Sequence, residues 1–588
     1  MADIAKCISL FLLVMVLALS RKSAHGELSN PSILVDTPSG RVKGYKETHN
    51  QTHPMIRFIG IPYAEPPVNN LRFRKPRPIG IWDDVRGIPN DHGPGCMQDD
   101  GNYIGTYEMR FSEDCLYLNI YVPGREIKQT KTFSVMVWIH GKDFIHGSTS
   151  EYFPHNIVAH GDVIVVTFNY RLGVFGFLNI DDQDVTKNLG LWDQIAALQW
   201  VHKNIAAFGG NPENVTIIGH SSGAVCAHLL SLMPRNGGLF QRVIAMSGVV
   251  SRNTVVKPNN AEKVDRLLSE RTNCTETTQS SIYLDCLRSV PAEKIVNAVI
   301  LQDLIPTDNI TADLYVGPSI DGDLIIKDPY LLLSDFDSSE SRFFRSLDFV
   351  AGTTDVEGSL LYRKIVDSRK TSLVSEYENN LNFSLDSEIP FHVFKDSIAP
   401  GVINSLYGNN PILTHKVVDF YHSHRGSLDQ SNQAIQMYGQ ATIVTPTINA
   451  LVAHSRNNAA SKTYHYLVTL ISPLPEGPPP PLWFGGCGHG DELYLLFRLM
   501  ATPINLQMRD FHHDLSRKVV RYWTNFAKTG NPSDDDTEIT WPAYDEDKRH
   551  YLILDYPIIS HIDYSSEEVA LFQPELSNYV RTNSHDEL

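Results

Sequence analysis

The chain has 588 residues, of which 42% are hydrophobic and 20% charged, enough to bury the core of a large enzyme. Its formal net charge of −17 argues against nucleic acids and anionic membrane surfaces as partners. Composition alone therefore predicts a soluble acidic protein.

The N-terminus predicts a secretory signal peptide over residues 1–26. Lys6 precedes an apolar run at residues 8–19, and small residues then offer a cleavage site. The run is too short to span a bilayer comfortably, so we favour its removal over an uncleaved anchor. No later stretch predicts a membrane span, and we expect residues 27–584 to form a single domain.

The first core elements follow a pattern of strands and helices. Buried strands are predicted at residues 133–139 and 163–168, and a helical pattern covers residues 189–207. Two further strands are predicted at residues 347–352 and 464–470. Strands that alternate with helices indicate an α/β fold with a mostly parallel central sheet. Active residues then lie on loops beyond the strand ends.

Between these elements lies the most informative motif of the chain. The β-branched run at residues 215–218 leads into Gly219-His220-Ser221-Ser222-Gly223. This G-x-S-x-G pattern predicts a nucleophile elbow, in which a strand turns sharply into a helix and exposes the Ser221 hydroxyl. Glycines flank the turn because a side chain would clash there, and the helix N-terminus favours a developing anion. The motif predicts a covalent acyl-serine at Ser221.

The C-terminus ends in His-Asp-Glu-Leu at residues 585–588, a retrieval address for the endoplasmic reticulum. Such an address acts only at the extreme C-terminus of a translocated chain, and the predicted signal peptide satisfies the second condition. We therefore expect the mature protein in the reticulum lumen, with partial secretion as an alternative. A retrieval receptor is the partner expected for the tetrapeptide.

The cysteines fit an oxidising compartment. We expect disulfides between Cys96 and Cys115 and between Cys274 and Cys286, because each pair brackets a short segment and short loops close most easily. Sequence alone does not fix this connectivity. No C-x-x-C or H-E-x-x-H spacing appears, so we expect no metal and no cofactor. The cysteines expected to remain free are Cys226 and Cys487.

Glycosylation sequons also suit an exported chain. Asn214 is a weaker candidate than the others because its sequon opens the strand before Ser221 and is expected to be enclosed. The acceptors we predict are Asn50, Asn273, Asn309 and Asn382.

Several motifs in order resemble the type-B carboxylesterases, within the carboxylesterase and cholinesterase family of α/β-hydrolases. They extend over almost all of the mature chain and include the elbow. The other matching stretches are Gly60-Ile61-Pro62-Tyr63-Ala64, Leu71-Arg72-Phe73, Glu113-Asp114-Cys115-Leu116-Tyr117-Leu118-Asn119, Asn169-Tyr170-Arg171, Gly190-Leu191-Trp192-Asp193-Gln194 and Phe208-Gly209-Gly210-Asn211-Pro212.

The resemblance implies a catalytic triad around Ser221. It places the general base at His489, within Gly-His-Gly, and the acid that orients this base at Glu357. The chain order Ser, acid, His is the order used by the α/β-hydrolase fold. Asp355 and Asp491 are nearby rivals that we expect to be structural.

The oxyanion loop departs from the family. The resemblance implies consecutive glycines after His140, but the chain reads Gly141-Lys142-Asp143. The oxyanion donors expected here are the backbone N–H groups of Lys142, Asp143 and Ser222. A carboxylate about 5 Å from the oxyanion would oppose it by roughly 3 kcal/mol at an effective dielectric near 20. Such a penalty corresponds to a rate loss on the order of 100-fold.

Two classes of function follow from these observations. We favour a serine carboxylesterase that acts on small-molecule esters, and the alternative is a weakly active or non-catalytic binding or adhesion protein on the same fold. A cholinesterase is disfavoured, because the Cys96–Cys115 segment has no Trp to face a choline cation. In addition, His220 stands where cholinesterases carry a glutamate.

Overall fold

The computed structural model describes residues 32–49, 52–87, 92–99, 109–127, 132–180, 185–274, 280–300, 312–361, 389–422, 427–473, 484–499 and 508–573. The predicted signal peptide, the retrieval tetrapeptide and the sequons at Asn50, Asn309 and Asn382 lie outside these residues.

One large sheet organises the described part of the chain, and two small two-stranded sheets lie beside it. In chain order the strands are β1 (Ser32–Thr37), β2 (Gly40–His49), β3 (His53–Pro62), β4 (Trp82–Arg86), β5 (Gly95–Cys96), β6 (Phe111–Ser112), β7 (Tyr117–Pro123), β8 (Phe133–Ile139), β9 (Tyr152–Phe153), β10 (Ile164–Phe168), β11 (Gly210–His220), β12 (Arg242–Met246), β13 (Asp348–Thr354), β14 (Thr463–Val468), β15 (Arg498–Leu499), β16 (His550–Leu554) and β17 (Ile559–Ile562).

The large sheet has a parallel centre and antiparallel edges. Its order is β1-β2-β3-β7-β10-β8-β11-β12-β13-β14-β16-β17, with β4 paired to β2. All pairings from β10 to β16 are parallel, whereas β1, β2, β3 and β7 form an antiparallel run and β17 pairs antiparallel with β16. The prediction of an α/β fold with a mostly parallel central sheet is confirmed, and the antiparallel edges are an addition to it.

Helices cover both faces of this sheet, and π-helical turns at Phe394–Ile398 and Gln440–Val444 join consecutive helices. The α-helices are His155–Gly161, Gly173–Phe177, Leu189–Asn204, Ser222–Ser231, Pro258–Thr272, Ser280–Ser289, Ala292–Ala298, Pro329–Leu332, Ser339–Phe344, Phe391–Val393, Ala399–Tyr407, Pro411–Phe420, Ser427–Gly439, Thr445–Ser455, Asp510–Thr529 and Ser566–Phe572. Within the described ranges, none of the helices combines the length and apolarity needed to cross a bilayer.

The core lies on both faces of the central strands because successive side chains of a strand point in opposite directions. Val137 of β8 packs in a cluster with the helices Leu189–Asn204 and Ser222–Ser231. Its neighbour Trp138 faces the opposite cluster, which helix Asp510–Thr529 covers. Every residue of β8 is buried, which explains why all of them except Ser134 are apolar.

The predicted elements agree with the observed ones to within a few residues. Strand 133–139 has the predicted bounds, and strand 347–352 is observed as Asp348–Thr354. The helix predicted over 189–207 ends at Asn204, and the 3₁₀ turn Ile205–Phe208 continues it.

Both predicted disulfides are present. Cys96 bonds to Cys115, and Cys274 bonds to Cys286. The two cysteines expected to be free, Cys226 and Cys487, are unbonded and buried.

The sequon asparagines in the described residues have different environments. Asn273 is exposed, with φ 62°, at the end of helix Pro258–Thr272. The side-chain amide of Asn214 instead donates to Ser134 Oγ at 2.9 Å and to the Lys528 carbonyl at 3.1 Å. The Asn214 carbonyl accepts a hydrogen bond from Arg242, so the structure uses this side chain internally.

Candidate active site

Ser221 occupies the predicted elbow between β11 and helix Ser222–Ser231. Its backbone has φ 56° and ψ −127°, a conformation that residues with a side chain rarely adopt. The turn is held by hydrogen bonds from Ser221 N to Met246 O at 2.9 Å and from Ala224 N to Ser221 O at 2.9 Å. The strand–turn–helix geometry predicted from the motif is therefore confirmed.

The flanking glycines are required by close backbone packing. A Cβ at Gly219 would overlap the Gly223 carbonyl, and a Cβ at Gly223 would overlap the Ile139 carbonyl. A Cβ at Gly141 would meet the His220 carbonyl and the Ser221 side chain. The elbow and the oxyanion loop are thus in direct contact.

The structure brings His489 and Glu357 together, although 132 residues separate them in sequence. His489 Nδ1 donates to Glu357 Oε2 at 2.6 Å, and both side chains are almost completely buried. The Thr354 N–H donates to Glu357 Oε1 at 2.7 Å, and the His489 N–H donates to Ser359 Oγ at 2.8 Å. The donated Nδ1 proton makes Nε2 the basic nitrogen of a neutral His489 ring.

The connection from this pair to the elbow runs through His220. The ring centroids of His220 and His489 lie 4.7 Å apart. Ser221 directly follows His220 in the chain, so the elbow lies close to the Glu357–His489 pair.

A second acidic group behind the pair is missing from the sequence prediction. Glu492 Oε1 accepts a hydrogen bond from Ser247 Oγ at 2.7 Å and lies 3.4 Å from His220 Nε2. Burial and the nearby Glu357 carboxylate raise the pKa of Glu492 to about 8. This shift favours the neutral form of Glu492 beside the Glu357–His489 pair. The position of Glu492 three residues after His489 was the available sequence signal.

The two rival carboxylates, Asp355 and Asp491, hold the loop that carries His489. Asp355 Oδ1 accepts from the Cys487 N–H at 2.8 Å, and Asp491 Oδ2 accepts from the Gly488 N–H at 2.8 Å. Burial raises the pKa of Asp355 to about 7. Both contacts hold backbone just before His489, in agreement with the expected structural role.

The oxyanion loop begins at the buried His140. The His140 ring stacks on Tyr170 with centroids 4.5 Å apart, and the Tyr170 hydroxyl donates to the His140 carbonyl at 2.8 Å. Burial lowers the pKa of His140 to about 4, so the ring is neutral at pH 7 and adds no charge to the site.

The next residues keep a glycine-like backbone without glycine. Lys142, Asp143 and Phe144 have φ values of 80°, 55° and 63°. The Ile145 N–H donates to the Lys142 carbonyl at 3.2 Å, and positive φ at both central residues is the signature of a type I′ turn. In the described part of the chain, the N–H groups of Asp143 and Ser222 donate to no protein acceptor. They are therefore candidate donors for a bound oxyanion.

The two charged side chains of this loop point to different partners. Lys142 forms an ion pair with Glu151, whereas Asp143 is exposed. The Lys142 ammonium is therefore engaged with Glu151. Across the described ranges, no group of three His, Cys, Asp or Glu side chains has a metal-binding arrangement.

Comparison with known proteins identifies a matching family and several similar chains. The sequence pattern of the Carboxylesterase family matches residues 31–572. The chain is 28% identical to mouse (Mus musculus) Carboxylesterase 1E, over 99% of this chain and 100% of that protein. It is 30% identical to rat (Rattus norvegicus) Carboxylesterase 1C, over 96% of each chain. It is also 30% identical to human (Homo sapiens) Neuroligin-2, over 94% of this chain and 69% of that protein. From the match over nearly its whole length, the chain belongs to the Carboxylesterase family.

Proposed function

We propose that this protein is a serine carboxylesterase that hydrolyses small-molecule carboxylic esters through an acyl intermediate on Ser221. The observation that carries the proposal is the buried Glu357–His489 pair, joined through His220 to a serine in an elbow. A structural role alone would not require a strained serine at this position.

In the acylation step, Ser221 Oγ attacks the ester carbonyl carbon while His489 Nε2 takes the hydroxyl proton. Negative charge moves to the carbonyl oxygen, where the N–H groups of Asp143 and Ser222 donate to it, with Lys142 N–H as a further donor. The C–O bond to the alcohol then breaks, and His489 returns the proton to the leaving alkoxide oxygen. Glu357 accepts the Nδ1 hydrogen bond throughout and stabilises the imidazolium.

Deacylation repeats these steps with water. His489 Nε2 takes one water proton as the hydroxide oxygen attacks the acyl carbon. Collapse of the tetrahedral intermediate breaks the bond to Ser221 Oγ, which recovers its proton from His489. The products are a carboxylic acid and the free enzyme, so no cofactor is needed.

A binding or adhesion protein on the same fold is the second candidate. Carboxylesterase and neuroligin relatives share the same level of identity with the chain, so similarity alone does not select the enzyme. The Lys142-Asp143 departure in the oxyanion loop is the specific observation that favours this alternative.

The decisive experiment combines turnover with active-site labelling. The wild type should hydrolyse p-nitrophenyl esters of graded acyl length and should react with a fluorophosphonate probe at Ser221. Ser221→Ala should lose both activities, whereas Ser231→Ala, a change at a buried serine in the following helix, should keep both. Absence of turnover across the series, or labelling that persists in Ser221→Ala, would contradict the proposal.

We also propose that the chain enters the secretory pathway and is retained in the reticulum lumen. The N-terminal and C-terminal signals support this, and two disulfides are compatible with an oxidising compartment. Deletion of residues 585–588 should send the protein into the culture medium. Equal retention with and without these residues would count against a lumenal address.

A further inference from the structure

The oxyanion loop holds three consecutive non-glycine residues at positive φ, at positions 142–144. Such a conformation brings Cβ too close to the following carbonyl oxygen and is unfavourable for residues other than glycine. It persists only where the surroundings over-determine it. Each of the three residues must therefore either be held at positive φ by its surroundings or tolerate that conformation intrinsically.

Phe144 is restrained by packing and by both of its backbone groups. Its N–H donates to Ser222 Oγ at 3.3 Å, and its carbonyl accepts from the Gly173 N–H at 2.9 Å. Its buried ring packs edge-to-face on Phe177 with centroids 5.4 Å apart. Asp143 is exposed, but aspartate tolerates the left-handed region better than most residues.

Lys142 has neither a buried ring nor an intrinsic preference for this conformation, and Glu151 is a restraint on its side chain. The Lys142 ammonium pairs with Glu151 Oε2. The second carboxylate oxygen of Glu151 accepts the Ser148 N–H at 2.9 Å. The Glu151 side chain is only 12% exposed, so the carboxylate member of this ion pair is held in place.

The Glu151 turn is itself anchored to the central sheet. Ser148 and Glu151 form a reciprocal capping box at the 3₁₀ turn Thr149–Glu151. The Thr149 N–H donates to Asn169 Oδ1 at 2.9 Å, and Asn169 directly follows β10. A chain of contacts therefore runs from the end of β10 through Glu151 to the ammonium of Lys142.

We propose that Glu151 is a positioning residue for ester hydrolysis. By holding the Lys142 ammonium, it keeps the oxyanion-loop backbone at positive φ. Glycines at these positions would adopt that conformation without such a restraint. The inference rests on the esterase activity proposed above. Glu151 does not touch the substrate in this scheme. Its effect reaches the reaction through the direction of the Lys142 and Asp143 N–H groups.

The test compares three substitutions. Glu151→Gln removes the charge that holds Lys142 but keeps an oxygen for the Ser148 N–H, and Lys142→Met removes the ammonium but keeps Cβ. Both should lower kcat for a p-nitrophenyl ester about tenfold, with KM within twofold, because oxyanion contacts strengthen in the transition state. Affinity for a trifluoromethyl ketone should fall in parallel. Lys142→Gly should lose less kcat than Lys142→Met, because glycine adopts positive φ without strain.

The double variant Glu151→Gln/Lys142→Gly separates this role from a structural one. It should match Lys142→Gly, since no tether is needed once position 142 is glycine. The control is Lys327→Gln, which breaks a lysine–carboxylate ion pair outside the site, to Asp335, and should leave kcat unchanged.

Two results would overturn the inference while leaving the esterase proposal intact. One is wild-type kcat in Glu151→Gln; the other is an equal loss from this change in the Lys142→Gly background, which would place the role of Glu151 in the Ser148 cap. If Glu151→Gln does not fold, the comparison of Met with Gly at position 142 decides the question. A wild type that neither turns over esters nor reacts with the fluorophosphonate would overturn both proposals.

Discussion

Neutralising Asp143 tests how the departure from a glycine-rich oxyanion loop affects catalysis. Asp143→Asn removes the charge and keeps a residue that tolerates φ 55°. The carboxylate opposes the oxyanion of the transition state more than it opposes the neutral ester. Acylation should therefore become faster when the charge is removed.

The exposure of Asp143 determines how strongly its charge should slow acylation. At about 5 Å, two unit charges repel by roughly 3 kcal/mol at a dielectric near 20 but by only about 0.8 kcal/mol in water. Since Asp143 is exposed, the second value applies and corresponds to about a fourfold effect on rate. The penalty expected from the sequence alone, on the order of 100-fold, is thus too large for this structure.

Burst kinetics with a p-nitrophenyl ester separates acylation from deacylation. Asp143→Asn should raise the acylation rate about fourfold at low salt and by less at high salt, because ions screen an exposed charge. Asp162→Gly is the control, since Asp162 is also exposed with φ 52° but ends helix His155–Gly161. An unchanged acylation rate would refute the argument, and a 100-fold increase would show that the charge is desolvated during reaction. Slower deacylation would indicate that the carboxylate orients the attacking water.

Two further predictions concern stability. Because the pKa of Glu492 rises from 4.5 to about 8 on folding, the native state binds its proton more tightly, and the free energy of unfolding falls as pH rises through that window. Glu492→Gln should therefore gain stability relative to wild type as pH rises from 4.5 to 8 in urea titrations, and a pH-independent difference would contradict this. Replacing Cys96 and Cys115 with serine should lower the free energy of unfolding by about 3 kcal/mol, and equal stability of the two proteins would argue against loop-closure entropy.

Local patterns predicted much of this fold. The run before Ser221 and the flanking glycines specify strand, turn and helix within a few residues, and β8 is apolar apart from Ser134 because both of its faces are buried. The antiparallel edge of the sheet was not predicted, since strand pairing depends on contacts between distant segments.

In the candidate site, too, local motifs were predictable from sequence, whereas contacts between distant segments were not. Family motifs were sufficient to select His489 and Glu357, but the Ser247–Glu492 hydrogen bond joins residues 245 positions apart and leaves no local pattern. The sequence revealed the Lys142-Asp143 departure without indicating that both residues retain positive φ. That conformation depends on tertiary contacts, which override the preference of individual residues.

The internal hydrogen bonds of Asn214 have a consequence for the maturation of a translocated chain. A glycan on the Asn214 amide would replace one of the two hydrogens that reach Ser134 and Lys528. Sugar transfer and closure of this hydrogen-bond set therefore compete for the same nitrogen. If the chain is translocated as proposed, fast folding would prevent modification of Asn214, whereas a glycan added before folding would stand at the start of the strand that leads to Ser221. The fraction of molecules glycosylated at Asn214 would therefore report on how fast the chain folds.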